Sequence, residues 1–257
     1  MRDLLVPLVV LLALAGCQGP QAPALRPGPW HAVLDITGPD DEVPVHLPFR
    51  FDMAEGSEGD PVMVVRNGAE EIVAHEITVR GDTVHVRMPL YDSEFRCLRA
   101  GDSLLTGTWH NHLRGTDYVL PFSAFAGQRD RFTQAPPPGM DITGEWKTRM
   151  HAGCCDSSMA LGIFTQQGSA LTGTFATETG DHRFLEGVVR GDSVLLSVFN
   201  GFQANLFAAR WRNDSLLGRV YWGRHGRDRW EAVQEAGFSL RNADSLTFLK
   251  EEHHMVA

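Results

Sequence analysis

No Cys-x-x-Cys occurs in the 257 residues. Thioredoxin-type exchange therefore has no motif to work with, because that chemistry needs a low-pKa attacking thiolate with a resolving thiol one helical turn away. A Gly-x-Ser-x-Gly elbow, a phosphate-cradling glycine-rich loop and a His-Glu-x-x-His are missing too, which leaves the better-marked hydrolase, nucleotide and zincin classes without support. Positive charge is in deficit. A net charge of −9 argues against nucleic acid or an anionic lipid surface as partner, since both would repel the chain. Helical periodicity is nearly absent, and the one long apolar run, from Leu4 to Ala15, contains Pro7 and is too short to cross a bilayer permanently.

That run has a positive start at Arg2 and ends at Leu14-Ala15-Gly16-Cys17, a lipoprotein cleavage and lipidation box. Small residues precede the cut because the peptidase groove admits little bulk, and the Cys17 thiol accepts a diacylglycerol as a thioether. The expectation is a signal peptide over 1–16 and a mature chain held to the membrane by acyl chains on Cys17. Gln18 stands where an aspartate would retain a lipoprotein at the inner membrane, so the outer membrane is the expected address. Residues 17–29, with Pro20, Pro23, Pro27 and Pro29, read as a tether.

Beyond the tether the texture is short strands separated by turn residues, and the fold class is all-β. A second break, Ala135-Pro136-Pro137-Pro138-Gly139, divides it into a first unit (30–132), a linker (133–141), a second unit (142–237) and a tail (238–257). The units look duplicated. Arg80-Gly81-Asp82-Thr83-Val84 matches Arg190-Gly191-Asp192-Ser193-Val194, Asp102-Ser103-Leu104-Leu105 matches Asp214-Ser215-Leu216-Leu217, and each unit opens with Gly-x-Trp at Gly28/Trp30 and Gly144/Trp146. The expectation is two tandem antiparallel meanders. The second predicts eight strands, at 144–150, 158–166, 170–178, 183–189, 193–199, 204–211, 215–222 and 228–235, enough for an up-and-down barrel of lipocalin or avidin type. The two Arg-Gly-Asp triplets sit at the same hairpin of each unit, where Gly-Asp is turn chemistry and not an adhesion signal.

Candidate sites are few. Cys97, Cys154 and Cys155 would pass through an oxidising compartment, which suggests one disulfide between Cys97 and a member of the adjacent pair, with a vicinal Cys154–Cys155 bridge as the sharper redox alternative. His110 and His112 would share one face of a strand and supply two metal ligands, with Asp117 across a hairpin, but two ligands do not make a site, and no metal or cofactor is assigned. Glu178, Asp181, Arg183 and Glu186 gather around one hairpin and read as solvated ion pairs. Phe199, Trp211, Trp222 and Trp230 are candidates to line a ligand cavity inside the second barrel.

Several ordered clusters, among them Val64-Val65-Arg66-Asn67-Gly68-Ala69-Glu70, Leu171-Thr172-Gly173-Thr174-Phe175, Thr179-Gly180-Asp181-His182-Arg183-Phe184-Leu185-Glu186-Gly187 and Leu246-Thr247-Phe248-Leu249-Lys250, resemble the β-rich N-terminal region of TlpA-like, redoxin-type thioredoxin-fold envelope lipoproteins. The resemblance implies that the last cluster leads into a thioredoxin domain with a Trp-Cys-x-x-Cys loop. This chain stops at Ala257, so the family's redox residues have no positions here to map onto. The expected function is a non-catalytic, lipid-anchored accessory or binding module, with the membrane and a thioredoxin-like or other envelope protein as partners. Two alternatives stand beside it: thiol–disulfide chemistry at Cys154 and Cys155, and calycin-like carriage of a small apolar ligand.

Overall fold

The computed structural model describes residues 25–57, 59–128, 130–152, 156–178, 180–182 and 184–241. These described residues are all-β and form two nine-stranded antiparallel sheets, each rolled on itself. The first is made of β1 (Gly28–Asp35), β2 (His46–Glu55), β3 (Pro61–Asn67), β4 (Glu70–Ala74), β5 (Ile77–Arg80), β6 (Thr83–Arg87), β7 (Ser93–Ala100), β8 (Leu104–Asn111) and β9 (Val119–Ala126), with a single 3-10 turn at His112–Arg114. The second is made of β10 (Gly144–Ala152), β11 (Asp156–Gln167), β12 (Ala170–Thr177), β13 (Gly180–Asp181), β14 (Leu185–Arg190), β15 (Ser193–Phe199), β16 (Ala204–Arg212), β17 (Ser215–Trp222) and β18 (Gly226–Val233).

The duplication is carried through strand by strand. The first sheet runs β4-β3-β2-β1-β9-β8-β7-β6-β5, and the second repeats that order from β13 through β10 and β18 to β14. Trp30 and Trp146, both fully buried, each donate their indole N–H over 2.9 Å to the carbonyl four residues upstream, Arg26 and Ile142. Gly81 and Gly191, with φ of +58° and +53°, supply the positive φ of the same two-residue hairpin in each unit.

One strand decides which barrel closes. In the second unit β13 is only two residues long and pairs with Ala176 and Thr177, so the other end of β12, Ala170 to Gly173, is free to pair with β14 and complete an eight-stranded barrel. Its counterpart β4 has five residues and occupies Met63 to Asn67 of β3, which leaves little of that edge for β5. The first barrel is therefore nearly closed, with no ladder between β3 and β5 among the described residues.

Each barrel is filled by its own inward-facing row, as expected at this strand number. Phe164, Phe175, Phe207 and Trp230 pack the second; Trp30, Phe49, Phe51, Phe95 and Trp109 pack the first. Gly218 is a glycine because a Cβ there would lie 2.5 Å from the Trp230 indole nitrogen. The first core does not end at the first unit. Phe199, Ala204 and Leu206 from the β15–β16 hairpin are part of it, so the second barrel stoppers the first. The proline segment is pinned as well: Gly191 donates its N–H to Pro137 O and accepts from Gly139 N–H, at 3.0 and 2.8 Å, so the second Arg-Gly-Asp hairpin carries the linker.

Candidate functional site

The most heavily built part of the molecule is the junction between the barrels. Phe199, at the end of β15, stacks on Phe49 at a centroid distance of 4.4 Å and meets Trp109 edge-on at 5.1 Å. The loop that follows is tied down by side chains of the first barrel: Ser93 Oγ donates to Gly201 O at 2.6 Å, and Asn111 Nδ2 donates to Phe202 O at 3.1 Å. Asn67 reaches across from β3 and donates to Phe199 O at 2.8 Å.

Beside this plug lies a buried charge network. Arg131, just after β9, donates through one guanidinium nitrogen to Ser197 O at 2.8 Å and Ser197 Oγ at 3.2 Å, and through the other to Asn67 Oδ1 at 3.1 Å and Arg66 O at 2.5 Å. Glu186 of β14 takes an ion pair from Arg50 Nε at 2.8 Å, a hydrogen bond from Gly68 N–H at 2.8 Å and the Arg131 charge at 3.6 Å. On the far side Arg227 clamps Asp41 through three hydrogen bonds of 2.6 to 3.1 Å and donates to Ile36 O at 2.7 Å. Between the barrels Arg50, Arg131, Phe132, Thr172 and Glu186 border a cleft of about 320 Å3.

The protonation states at the junction are settled by the surroundings. Burial opposes ionisation of Glu186, but the Arg131 charge, the Gly68 N–H and Arg50 together hold its carboxyl below the usual range. Burial lowers Arg131 to about 10, still far above neutrality. Both groups are charged at any physiological pH, and the network works as a fixed lock.

A second charged cluster decorates the outer wall of the first barrel. Glu94 receives hydrogen bonds from His85 and Arg96, and His112 Nε2 lies 3.4 Å from it. Burial pushes the Glu94 carboxyl up, but the His85 and Arg96 hydrogen bonds and the Arg96 charge outweigh it and carry the pKa from 4.5 down to about 2. A carboxyl depressed by folding adds stability that is present above its unfolded value and lost as pH falls through its folded one. Glu94→Gln should therefore be less stable than the parent at pH 7, and the two urea midpoints should converge between pH 4.5 and about 2. A constant gap across that window would show that the ionised carboxylate contributes nothing.

The residues singled out by sequence fall in different places. His110 and His112 stack at 6.2 Å, but His110 is engaged with Thr108 Oγ1 at 2.9 Å and His112 opens the 3-10 turn instead of continuing the strand. Among the described residues no group of three or more His, Cys, Asp or Glu is arranged to hold a metal ion. Trp230 is sealed in the second core against Phe175 at 5.2 Å; Trp211 packs edge-on to Trp146 and Trp222 edge-on to Phe207. Phe199 does not face the interior of the second barrel; it fills the first. The expected disulfide from Cys97 is not formed: Cys97 is a free, buried thiol on the inward row of β7, and burial pushes it up to about 12. Glu186 is not one of the solvated ion pairs expected of its hairpin but the carboxylate of the buried lock, whereas Glu178 pairs with Arg241 at the surface. Cys17, Cys154, Cys155 and Arg183 lie outside the described residues. Arg131 and Asn67 carried no local signal for their part in the junction, since the bonds that place them there reach Phe199 from Asn67, 132 residues away, and Asn67 from Arg131, 64 residues away.

No protein-family model matches the chain, and no curated protein matches it either. Among solved structures, 80% of the chain is similar to 95% of a candidate outer membrane protein from Bacteroides fragilis, with 8% identity and a TM-score of 0.26. The same share is similar to 94% of a DUF3598-family protein of unknown function from Nostoc punctiforme, with 10% identity and a TM-score of 0.24.

Proposed function

We propose that this chain is a lipid-anchored module of the bacterial envelope that binds a partner protein and performs no chemistry of its own, related to the β-rich N-terminal region of TlpA-like lipoproteins. The observation that carries the reading is the junction. Two barrels share one core through Phe199 and are locked by Arg131, Glu186 and Asn67, so the cleft between them has a fixed shape. A rigid, preorganised cleft is what a binding surface gains from, because little entropy remains to be lost on association. Proton transfer would need a group that titrates near the operating pH, whereas Glu186 and Glu94 are held ionised. Thiol exchange would need an exposed thiolate, whereas Cys97 is buried and pushed to about 12. Leu14-Ala15-Gly16-Cys17 supports the anchor and Gln18 the outer membrane.

The test has two arms. Cys17→Ala should release the protein from the membrane fraction or leave it unprocessed; a variant found there with the wild-type acyl-lipid mass overturns the anchor. The purified protein should leave insulin disulfides unreduced, at the buffer rate, with dithiothreitol as donor. Turnover abolished by Cys154→Ser or Cys155→Ser would replace the binding module with a vicinal-cysteine redox site.

A further inference from the structure

The acidic character of the chain is unevenly distributed. Residues 1–141 hold nineteen acidic and eleven basic residues, and residues 142–241 hold ten and eleven. On the outer wall of the second barrel, away from the junction cleft, Arg190, Arg210, Arg219 and Arg229 surround a groove of about 570 Å3. Across β15 to β18 the register aligns Leu195, Ala208, Arg219 and Arg229 in one row. The methyl of Ala208 leaves the depression, Leu195 and Leu217 floor it, and Tyr221, covered by the Arg227 guanidinium at 4.9 Å, closes its inner end.

Arg219 and Arg229 stand directly opposite each other, an arrangement that costs stability because like charges are brought together across the ladder. The chain has another such pair, Arg50 opposite Arg66, and there the conflict is resolved: Glu186 takes Arg50, and Asp52 and Glu71 take Arg66. Arg219, Arg229 and Arg190 make no side-chain hydrogen bond or ion pair among the described residues. The nearby carboxylates are engaged elsewhere, Asp41 with Arg227, Glu231 with Arg149 and His151, Asp192 with Arg210 and Arg212, and Asp228, which borders a small depression with Arg219 and Arg229, with the Trp222 indole N–H at 2.6 Å. Three guanidiniums without a partner among the described residues, over an apolar floor and in a chain of net charge −9, have the chemistry of a site completed by an anion from outside.

We propose that this groove binds a phosphoryl group attached to an apolar body, with Arg219 and Arg229 as the paired donors, Arg190 flanking them and the Leu195–Ala208–Leu217 floor taking the body. The several tetrahedrally disposed oxygens of a phosphoryl group suit three guanidiniums better than a single planar carboxylate does, and a planar guanidinium can donate to two of those oxygens at once.

The experiment uses the full chain carrying Cys17→Ala, so that an anchor does not itself hold the protein on lipid. Phenyl phosphate, inorganic phosphate and phenol are titrated by calorimetry, and sedimentation is measured with phosphatidylglycerol and phosphatidylcholine vesicles. Phenyl phosphate should bind more tightly than inorganic phosphate and phenol should not bind; the affinity should fall with salt and drop at least tenfold in Arg219→Gln/Arg229→Gln but not in Arg80→Gln, at the matching hairpin of the first barrel. The double variant should melt no lower than the parent, since it removes a repulsion, which separates loss of the site from loss of the fold. Sedimentation with phosphatidylglycerol alone, abolished by the double variant, supports the site and makes its phosphate lipid-borne. Binding that survives the double variant, or no binding to phenyl phosphate and phosphatidylglycerol alike, overturns the proposal. Inorganic phosphate binding as tightly as phenyl phosphate overturns the role of the floor.

Discussion

Phe199→Ala is expected to lower the unfolding free energy by about 3–5 kcal/mol, the range for truncating a fully buried phenylalanine, and to do so by loosening the barrel to which Phe199 does not belong in sequence. The ring has no solvent exposure and touches Phe49, Phe95 and Trp109 of the first core. Its removal leaves a cavity at the mouth of a barrel whose seam is already incomplete between β3 and β5, so the first unit should lose hydrogen-exchange protection before the second. Urea titration followed by exchange on β2, β7 and β8 checks this. Phe125→Ala, at a ring 46% exposed on the outer wall, is the matched control and should stay within about 0.5 kcal/mol. A Phe199→Ala loss as small as that of the control would show that the two barrels do not depend on the shared core.

The second large effect is expected at Arg131→Met. Removing one member of a buried charged network typically costs about 3–5 kcal/mol, because the remaining charge stays buried without its partner. Here the abandoned groups are the Glu186 carboxylate, the Asn67 amide oxygen and the carbonyls of Ser197 and Arg66. Arg131→Met/Glu186→Leu should recover part of the loss, since the buried carboxylate leaves together with its buried partner, and only part, because half-buried Arg50 then loses its ion pair with Glu186. The pH dependence gives an independent reading. Glu186 has a depressed folded pKa, so its stabilisation is present above the unfolded carboxyl value and fades as pH falls through the folded one. Without Arg131, its largest favourable neighbour, that dependence should shrink, and the urea midpoint of Arg131→Met should change less on acidification than that of the parent. Arg131→Met with parental stability at pH 7 would remove the lock from the account.

The strands of the second barrel were legible in advance because the signals are local. Alternation of apolar and polar residues marks a strand, and Gly, Asn and Asp mark the turns that need positive φ. The expected segments 170–178, 193–199 and 215–222 correspond to Ala170–Thr177, Ser193–Phe199 and Ser215–Trp222. The repeated Asp-Ser-Leu-Leu shows where identical residues stop being enough. After Asn213-Asp214, a two-residue hairpin, Leu216 is the buried leucine and Leu217 is exposed; after Gly101-Asp102-Ser103, a three-residue loop, it is Leu105 that is buried. One extra residue in the turn flips the side-chain phase, so equal sequence ends on opposite faces.

The sequence by itself determined the all-β class and the turns, because each of these is written in a few consecutive residues, and the duplication, because short matching segments recur in the same order in both units. Only the tertiary structure decided that the second barrel closes while the first does not, since that depends on how far β4 and β13 extend along a neighbour's edge. It alone also decided that Phe199 stoppers the other barrel, that Glu186 is the partner of Arg131 and not a solvated charge, and that Arg219 and Arg229 face each other with no partner among the described residues. These relations join residues that are distant along the chain or set by strand register, and burial and charge pairing are properties of the space between elements, which no local pattern encodes.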